Sequence, residues 1–236
     1  MKKFLVLALL LVSPITNAET TPGFHDESGA GIVVTTGNSR TQSYNLGQTN
    51  TYGWEMNLLK FEGKFLDTSS NDVLSAKKWS LGLRYEREIS RIFSLFVAQA
   101  VESDIFSGYN QRYNSDLGLK YFVFQEEAFV WEIEAGGRYT IENRLSGQVH
   151  QSYSRLYTEA NRKFNKATSL KLDGEYLQNL SETADHQLNG EIAVAAVLNE
   201  IFSVKTGYLV KYRSILPPPA TQRLDTQLLT ALVAKF

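Results

Sequence analysis

Apolar and polar side chains alternate with a period of two along almost the whole chain. From Trp79 to Glu86, Trp, Leu, Leu and Tyr alternate with Ser, Gly, Arg and Glu. Segments that begin at Asp116, Phe129 and Phe202 repeat this pattern. Successive side chains of a β-strand point to opposite faces, whereas an amphipathic helix needs a period of 3.6 residues. The pattern therefore predicts an all-β chain built from strands with one apolar and one polar face.

Twelve segments fit this alternation. We place strands at residues 27–37, 40–51, 55–66, 75–87, 92–103, 110–123, 128–141, 150–164, 168–180, 186–198, 201–213 and 223–236. Most are longer than the five or six residues usual in soluble sheets and reach the roughly 9–11 that a tilted membrane strand needs. The chain thus predicts a single antiparallel transmembrane β-barrel of about 12 strands, of the outer-membrane type.

The predicted connections largely alternate between short and long. Those at residues 125–127, 165–167 and 199–200 are short, whereas those around 69–73, 105–109, 143–149, 181–185 and 216–221 are longer and mostly polar or rich in glycine and proline. Short periplasmic turns, longer outer loops and an even strand number are typical of outer-membrane barrels. Tyrosines and tryptophans suit the two interfacial girdles of such a barrel, among them Tyr52, Trp54, Tyr85, Tyr121, Trp131, Tyr139, Tyr208 and Tyr212.

Both ends of the chain carry export and assembly features. Residues 1–18 have a basic start, an apolar run from Phe4 to Val12 and small side chains at Thr16 and Ala18, which predicts a signal peptide, since the run is shorter than the roughly 20 residues of a spanning helix. Residues 19–236 would form the barrel in the cell outer membrane. The last strand ends in Phe236 and resembles the signal that the barrel-assembly machinery reads, so that machinery and outer-membrane lipid are the expected partners.

Composition excludes several classes of function. Cysteine is absent, which excludes disulfides and thiolate metal sites. Without Lys2 and Lys3, 22 basic residues face 25 acidic ones, so no basic excess points to nucleic acid. The sequence has no glycine-rich phosphate loop, and we expect no cofactor and no metal site.

The polar faces of the strands carry charges of both signs. We predict that these side chains line the lumen: Lys60, Glu62, Lys64, Arg84, Glu86, Asp116, Lys120, Glu132, Glu134, Arg138, Glu175, Glu191, Lys205, Lys211 and Arg213. Such a lumen can pair charges across strands and fix their register, or it can line a narrow channel for small ions or solutes. The expected function is therefore a structural or narrow-channel role in the envelope.

Two other functions remain open. His150 and Ser152 fall on the same face of a predicted strand, about 7 Å apart at the backbone, which leaves a lipid hydrolase as an alternative to the expected non-enzyme. The remaining histidines are His25, in the predicted N-terminal tail, and His186, beside a predicted loop. A soluble periplasmic barrel that binds an apolar ligand is the third possibility, and it requires the apolar face to point inward.

Several short segments resemble a family of Gram-negative proteins, domain of unknown function 481, some members of which are labelled salt-induced or YdiY-like outer-membrane proteins. The segments are residues 34–39, 83–85, 102–106, 117–121, 135–139 and 172–179, the last reading Leu-Asp-Gly-Glu-Tyr-Leu-Gln-Asn. The resemblance implies an outer-membrane barrel and a possible relation to salt or envelope stress. It supplies no catalytic residues.

Overall fold

The structure is a computed structural model that describes residues 23–35, 41–144, 146–218 and 220–235. The predicted signal peptide and Phe236 therefore lie outside the described residues. The strands are β1 Gly23–Thr35, β2 Thr41–Trp54, β3 Asn57–Ser70, β4 Val73–Ser90, β5 Phe93–Asp104, β6 Tyr109–Glu126, β7 Phe129–Arg144, β8 Gly147–Lys163, β9 Thr168–Asn179, β10 His186–Val197, β11 Phe202–Arg213 and β12 Leu224–Lys235. Among the described residues, no helix is long and apolar enough to cross a membrane.

The twelve strands form one closed antiparallel barrel. Each strand pairs with its neighbours in the chain, and β1 pairs with β12 to close the sheet. The closing ladder is short, because Glu27 to Ala30 pair with Lys235 to Leu232, whereas the β1–β2 ladder runs the full length of β1. The predicted fold class, strand number and order are confirmed.

Two predicted long connections are wrong. Strands β3 and β4 are joined by Asn71 and Asp72 alone, with φ values of 49° and 62°, because Asn and Asp tolerate the left-handed conformations that a two-residue hairpin turn needs. Strand β7 extends to Arg144 and β8 begins at Gly147, so the predicted loop at 143–149 is also tight. Strand β1 begins at Gly23, which places His25 in a strand rather than in a tail.

The two ends of the barrel differ in their connections. At the end that holds the start of β1 and the end of β12, the strands are joined by residues 55–56, 91–92, 127–128, 164–167 and 198–201. We call this the terminus end. The opposite end, the loop end, carries the connections at 105–108, 180–185 and 214–223 together with the three other hairpins.

The apolar face of the sheet points outward. Large apolar side chains are exposed around the whole barrel, for example Leu83, Leu117, Leu156, Ile192 and Leu228. The buried positions include many charged side chains instead. This arrangement is the reverse of the one that a soluble barrel with an apolar interior requires, so that alternative is wrong.

Aromatic side chains form clusters at both ends of the outer surface. At the terminus end, Tyr52 stacks on Trp54 with ring centroids 5.5 Å apart, and Phe124 stacks on Trp131 at 5.9 Å. At the loop end, His186 lies between Tyr176 and Tyr212, at 6.3 and 5.8 Å. Two bands of amphipathic rings on an otherwise apolar surface are typical of membrane barrels.

Candidate functional site

A dense network of ion pairs fills the barrel beside β4 to β9, which we call the sealed side. Arg84 on β4 donates to Glu86 at 2.5 Å and to Glu134 on β7 at 2.6 Å. Strands β5 and β6 separate β4 from β7 in the sheet, so this contact crosses the interior. Lys120 lies 2.7 Å from Glu86 and 3.5 Å from Glu132.

The network continues through Arg155 on β8. This guanidinium donates to Glu134 at 2.7 Å and to Glu175 at 2.6 Å. Glu175 also accepts from Arg138, whose Nε and Nη2 each lie 2.7 Å from the carboxylate of Asp116. Buried charges are costly unless they are paired and hydrogen-bonded, and shared carboxylates of this kind satisfy several guanidinium donors at once.

Phe96 occupies the centre of the sealed side. Its ring is 2% exposed, and the guanidinium carbon of Arg84 lies 3.9 Å from the ring centroid. Glycine at position 118 makes room for the ring, because a Cβ there would lie 2.8 Å from Phe96 Cζ. Gly136 on the next strand lets the backbones of β6 and β7 lie close together, since a Cβ there would lie 2.2 Å from the carbonyl oxygen of Leu117.

A second cluster crosses the barrel at the loop end. Glu142 on β7 is fully buried and accepts from Arg144 at 3.1 Å and from Arg213 on β11 at 3.1 Å. Arg112 on β6 lies 3.4 Å from the same carboxylate. Because β7 and β11 are four strands apart, this pairing narrows the lumen at the loop end.

The remaining part of the interior, beside β1 to β3 and β10 to β12, is the open side. Its inward positions carry small side chains, including Gly29, Gly47, Ala193, Ala195 and Ala231. A Cβ at Gly47 would meet no atom within 4 Å. The small side chains leave space in this part of the interior.

Three cavities follow one another through the interior. The loop-end cavity has a volume of about 790 Å³, the middle cavity about 250 Å³ and the terminus-end cavity about 270 Å³. The loop-end and middle cavities share Lys64, Ser80 and Lys211 in their walls. The middle and terminus-end cavities share Glu27, Thr49 and Lys205.

The structure divides the predicted lumen residues between these two sides. Arg84, Glu86, Asp116, Lys120, Glu132, Glu134, Arg138 and Glu175 belong to the sealed-side network. Lys60 pairs with Glu62 at 3.2 Å, Glu191 lies 3.7 Å from Lys171, and Arg213 binds Glu142. Lys64, Lys205 and Lys211 line the cavities and have no ion-pair partner among the residues that the structure describes.

Sequence reasoning missed several members of these networks. Arg155 lies on β8, where neither face is cleanly apolar, and Glu142 lies one residue beyond the predicted strand 128–141. Arg112 on β6 and Glu102 on β5 form a pair at 3.2 Å. Arg112 lies on the same face of β6 as Asp116, and Glu102 lies on the polar face of β5. Extending that alternation to the strand ends would have found both.

His150 and His186 lie in the outer aromatic band at the loop end. His150 Nδ1 lies 2.8 Å from the hydroxyl oxygen of Tyr139, and Nε2 lies 3.1 Å from Gln148 Oε1. Both ring nitrogens therefore engage neighbours other than Ser152, and the geometry adds nothing to the Ser–His alternative. Within the described ranges, no group of three or more histidine, cysteine or acidic side chains could hold a metal ion.

The comparisons with known proteins agree with the fold. The model of the family "Protein of unknown function, DUF481" matches residues 28–236. The chain belongs to this family. It is 25% identical over 210 residues to a protein of Escherichia coli K12 described as "Uncharacterized protein YdiY", covering 86% of this chain and 79% of the relative.

Two solved structures share the architecture. An outer membrane channel from Pseudomonas putida F1 superposes with a TM-score of 0.57 at 13% identity, covering 95% of this chain and all of that one. The NanC porin superposes with a TM-score of 0.52 at 10% identity, covering 89% and 97% of the two chains. At these identities the similarity establishes an outer-membrane type of barrel fold.

Proposed function

We propose that the protein resides in the outer membrane and forms a narrow passive channel for small ions and solutes. The observation that carries the proposal is the series of cavities through the interior, each sharing wall residues with the next. The apolar outer surface with its two aromatic bands supports the membrane location. The channel and porin folds that the chain resembles are consistent with this role.

The division of the interior explains how such a channel stays narrow. The ion-pair network holds β4 to β9 together and fills part of the lumen between them, so solutes pass through the three cavities. The middle cavity is lined mainly by residues of β1 to β4 and β10 to β12. A middle cavity of about 250 Å³ is smaller than the roughly 300–1,000 Å³ of sites for drug-sized ligands. We therefore expect passage of inorganic ions and small metabolites and exclusion of larger molecules.

Planar-bilayer recording of the purified protein tests this function. Folded protein, recognised by a gel mobility that changes on boiling, should give discrete current steps, whereas boiled protein should give none. Folded protein that inserts without conducting would refute the channel and leave a purely structural role, which the pairing of Glu142 with Arg213 across the loop end favours. Links to salt stress, to lipid hydrolysis and to the barrel-assembly machinery stay predictions.

A further inference from the structure

Three lysines in the walls of the cavities differ from almost all other inward basic side chains. Lys64 on β3, Lys205 on β11 and Lys211 on β11 have no carboxylate oxygen within 4.0 Å among the described residues. Lys64 and Lys211 are exposed to the cavity space. A lysine ammonium is a compact, strongly hydrated charge, so these three groups face the water of the lumen with their charge uncompensated by a direct partner.

Each acidic side chain of the middle cavity, in contrast, is paired with a lysine or arginine. The pairs are Glu27 with Lys235 at 2.9 Å, Glu102 with Arg112 at 3.2 Å, Asp104 with Lys78 at 2.9 Å and Glu191 with Lys171 at 3.7 Å. Pairing removes these carboxylates as free binding groups for a passing cation. What remains in the wall of the middle cavity is the charge of the three lysines.

The other acidic residues of the interior either lie away from this route or, with the exception of Asp225, are paired with a basic side chain. Glu86, Glu88, Asp116, Glu132 and Glu134 line none of the three cavities. Glu134 is paired with Arg84 and Arg155, and Glu86 is paired with Arg84 and Lys120. Glu62, Glu175 and Glu159 line the loop-end or the terminus-end cavity, and each is paired: Glu62 with Lys60 at 3.2 Å, Glu175 with Arg155 at 2.6 Å and Glu159 with Lys171 at 3.4 Å. Asp225 also lines the loop-end cavity, where Arg223 lines it too.

The three lysines are placed where the cavities meet. Lys64 and Lys211 lie in the wall shared by the loop-end and middle cavities, and Lys205 lies in the wall shared by the middle and terminus-end cavities. A solute that crosses the barrel passes these two junctions in turn. Charged side chains at narrow points set ion selectivity, provided that binding is weak enough for release.

We infer that the channel is selective for small anions and that Lys64 and Lys211 form a binding site for a carboxylate or phosphate group at the loop-end junction. Lys205 attracts the anion onward to the terminus end. The inference rests on the proposed channel function and names its substrate class. Neither lysine is bound to a carboxylate, so both offer N–H donors to an anion. The anion then moves from this junction to the next.

The reversal potential across a bilayer in a KCl gradient tests the selectivity. Wild-type protein should favour chloride over potassium by a factor on the order of 10, as expected when the unpaired charges at the narrow points are of one sign. Lys64→Gln, Lys205→Gln and Lys211→Gln should each lower this ratio, and the triple variant should bring it to about 1. Lys77→Gln, at an exposed position on the outer face of β4, is the control and should match wild type.

Inorganic phosphate tests the binding site. Phosphate should reduce the chloride current of wild type, and half-block of the Lys64→Gln/Lys211→Gln variant should need about tenfold more phosphate. Each variant is first shown to fold by its heat-dependent gel mobility. A current that favours potassium, a triple variant with unchanged selectivity, or a chloride current insensitive to phosphate would overturn the anion inference while the channel stands. Folded wild type without current would overturn both.

Discussion

Arg84 on β4 and Glu134 on β7 meet across the interior of the barrel, with Nη2 of the arginine 2.6 Å from Oε1 of the glutamate. The contact spans three strand-to-strand intervals of the sheet. Glu134 is 2% exposed and also accepts from Arg155 on β8. One carboxylate thus joins three strands and keeps this side of the lumen filled.

Removing that carboxylate should destabilise the barrel strongly. Glu134→Ala leaves Arg84 and Arg155 buried without their shared partner, and breaking a buried pair in this way costs about 3–5 kcal/mol. Urea unfolding in lipid vesicles measures the loss. Glu127→Ala, in the exposed connection between β6 and β7, should stay within about 0.5 kcal/mol of wild type. Equal stability of the two variants would contradict the structural role of the network.

Much of this architecture is visible in the sequence, because the period of two survives through nearly every strand. Strand number, order and the inward charges of β3, β4, β6 and β7 follow from that alternation alone. The hairpin at Asn71 and Asp72 does not follow from the alternation. The same local sequence fits either a two-residue turn with two left-handed residues or a longer loop. On β8, Tyr153 and Tyr157 share the inward face with Arg155 and Glu159. The sequence therefore does not show which face of β8 is apolar.

The choice of ion-pair partners was beyond sequence reasoning. Arg84 and Glu134, like Arg213 and Glu142, lie on strands that are not adjacent in the sheet. Their approach depends on closure of the barrel and on how far each side chain reaches into the lumen. The unpaired state of Lys64, Lys205 and Lys211 is known only once those partners are assigned.

Glycine at position 136 is required by the close approach of β6. A Cβ there would lie 2.2 Å from the carbonyl oxygen of Leu117, so Gly136→Ala forces the backbones apart and should cost about 1–3 kcal/mol. Gly47→Ala is the matched control, because its Cβ would enter open space, and it should leave stability nearly unchanged. Comparing their urea midpoints checks this, and a Gly136→Ala midpoint equal to that of Gly47→Ala would argue against this packing.

Because the outer surface is assigned to face lipid, the free-energy cost of a charged substitution there should depend on its depth in the bilayer. Leu117 lies halfway along β6 and is 65% exposed, so Leu117→Lys should cost about 2–4 kcal/mol in a bilayer. Gln111→Lys, near the loop end of the same strand, should cost about 0–1 kcal/mol. Refolding equilibria in vesicles distinguish the two. Similar costs at both positions would show that this face does not lie in a hydrocarbon layer.

The central claim is that solutes cross the barrel through the series of cavities and not through the ion-pair network around Phe96. Because the chain contains no cysteine, single Ser→Cys variants report access to the cavities and to the network with little change in side-chain size. Ser80 lines the loop-end and middle cavities and Ser169 lines the terminus-end cavity, whereas Ser94 is 1% exposed and lies on the inward face of β5.

The most direct measurement is the current through these three variants before and after a water-soluble, sulfonate-bearing thiol reagent is added. Ser80→Cys and Ser169→Cys should be labelled in the folded protein and should lose current, while Ser94→Cys should remain unlabelled and conduct as before. Labelling of Ser94→Cys with loss of current, or full current in labelled Ser80→Cys and Ser169→Cys, would contradict the account.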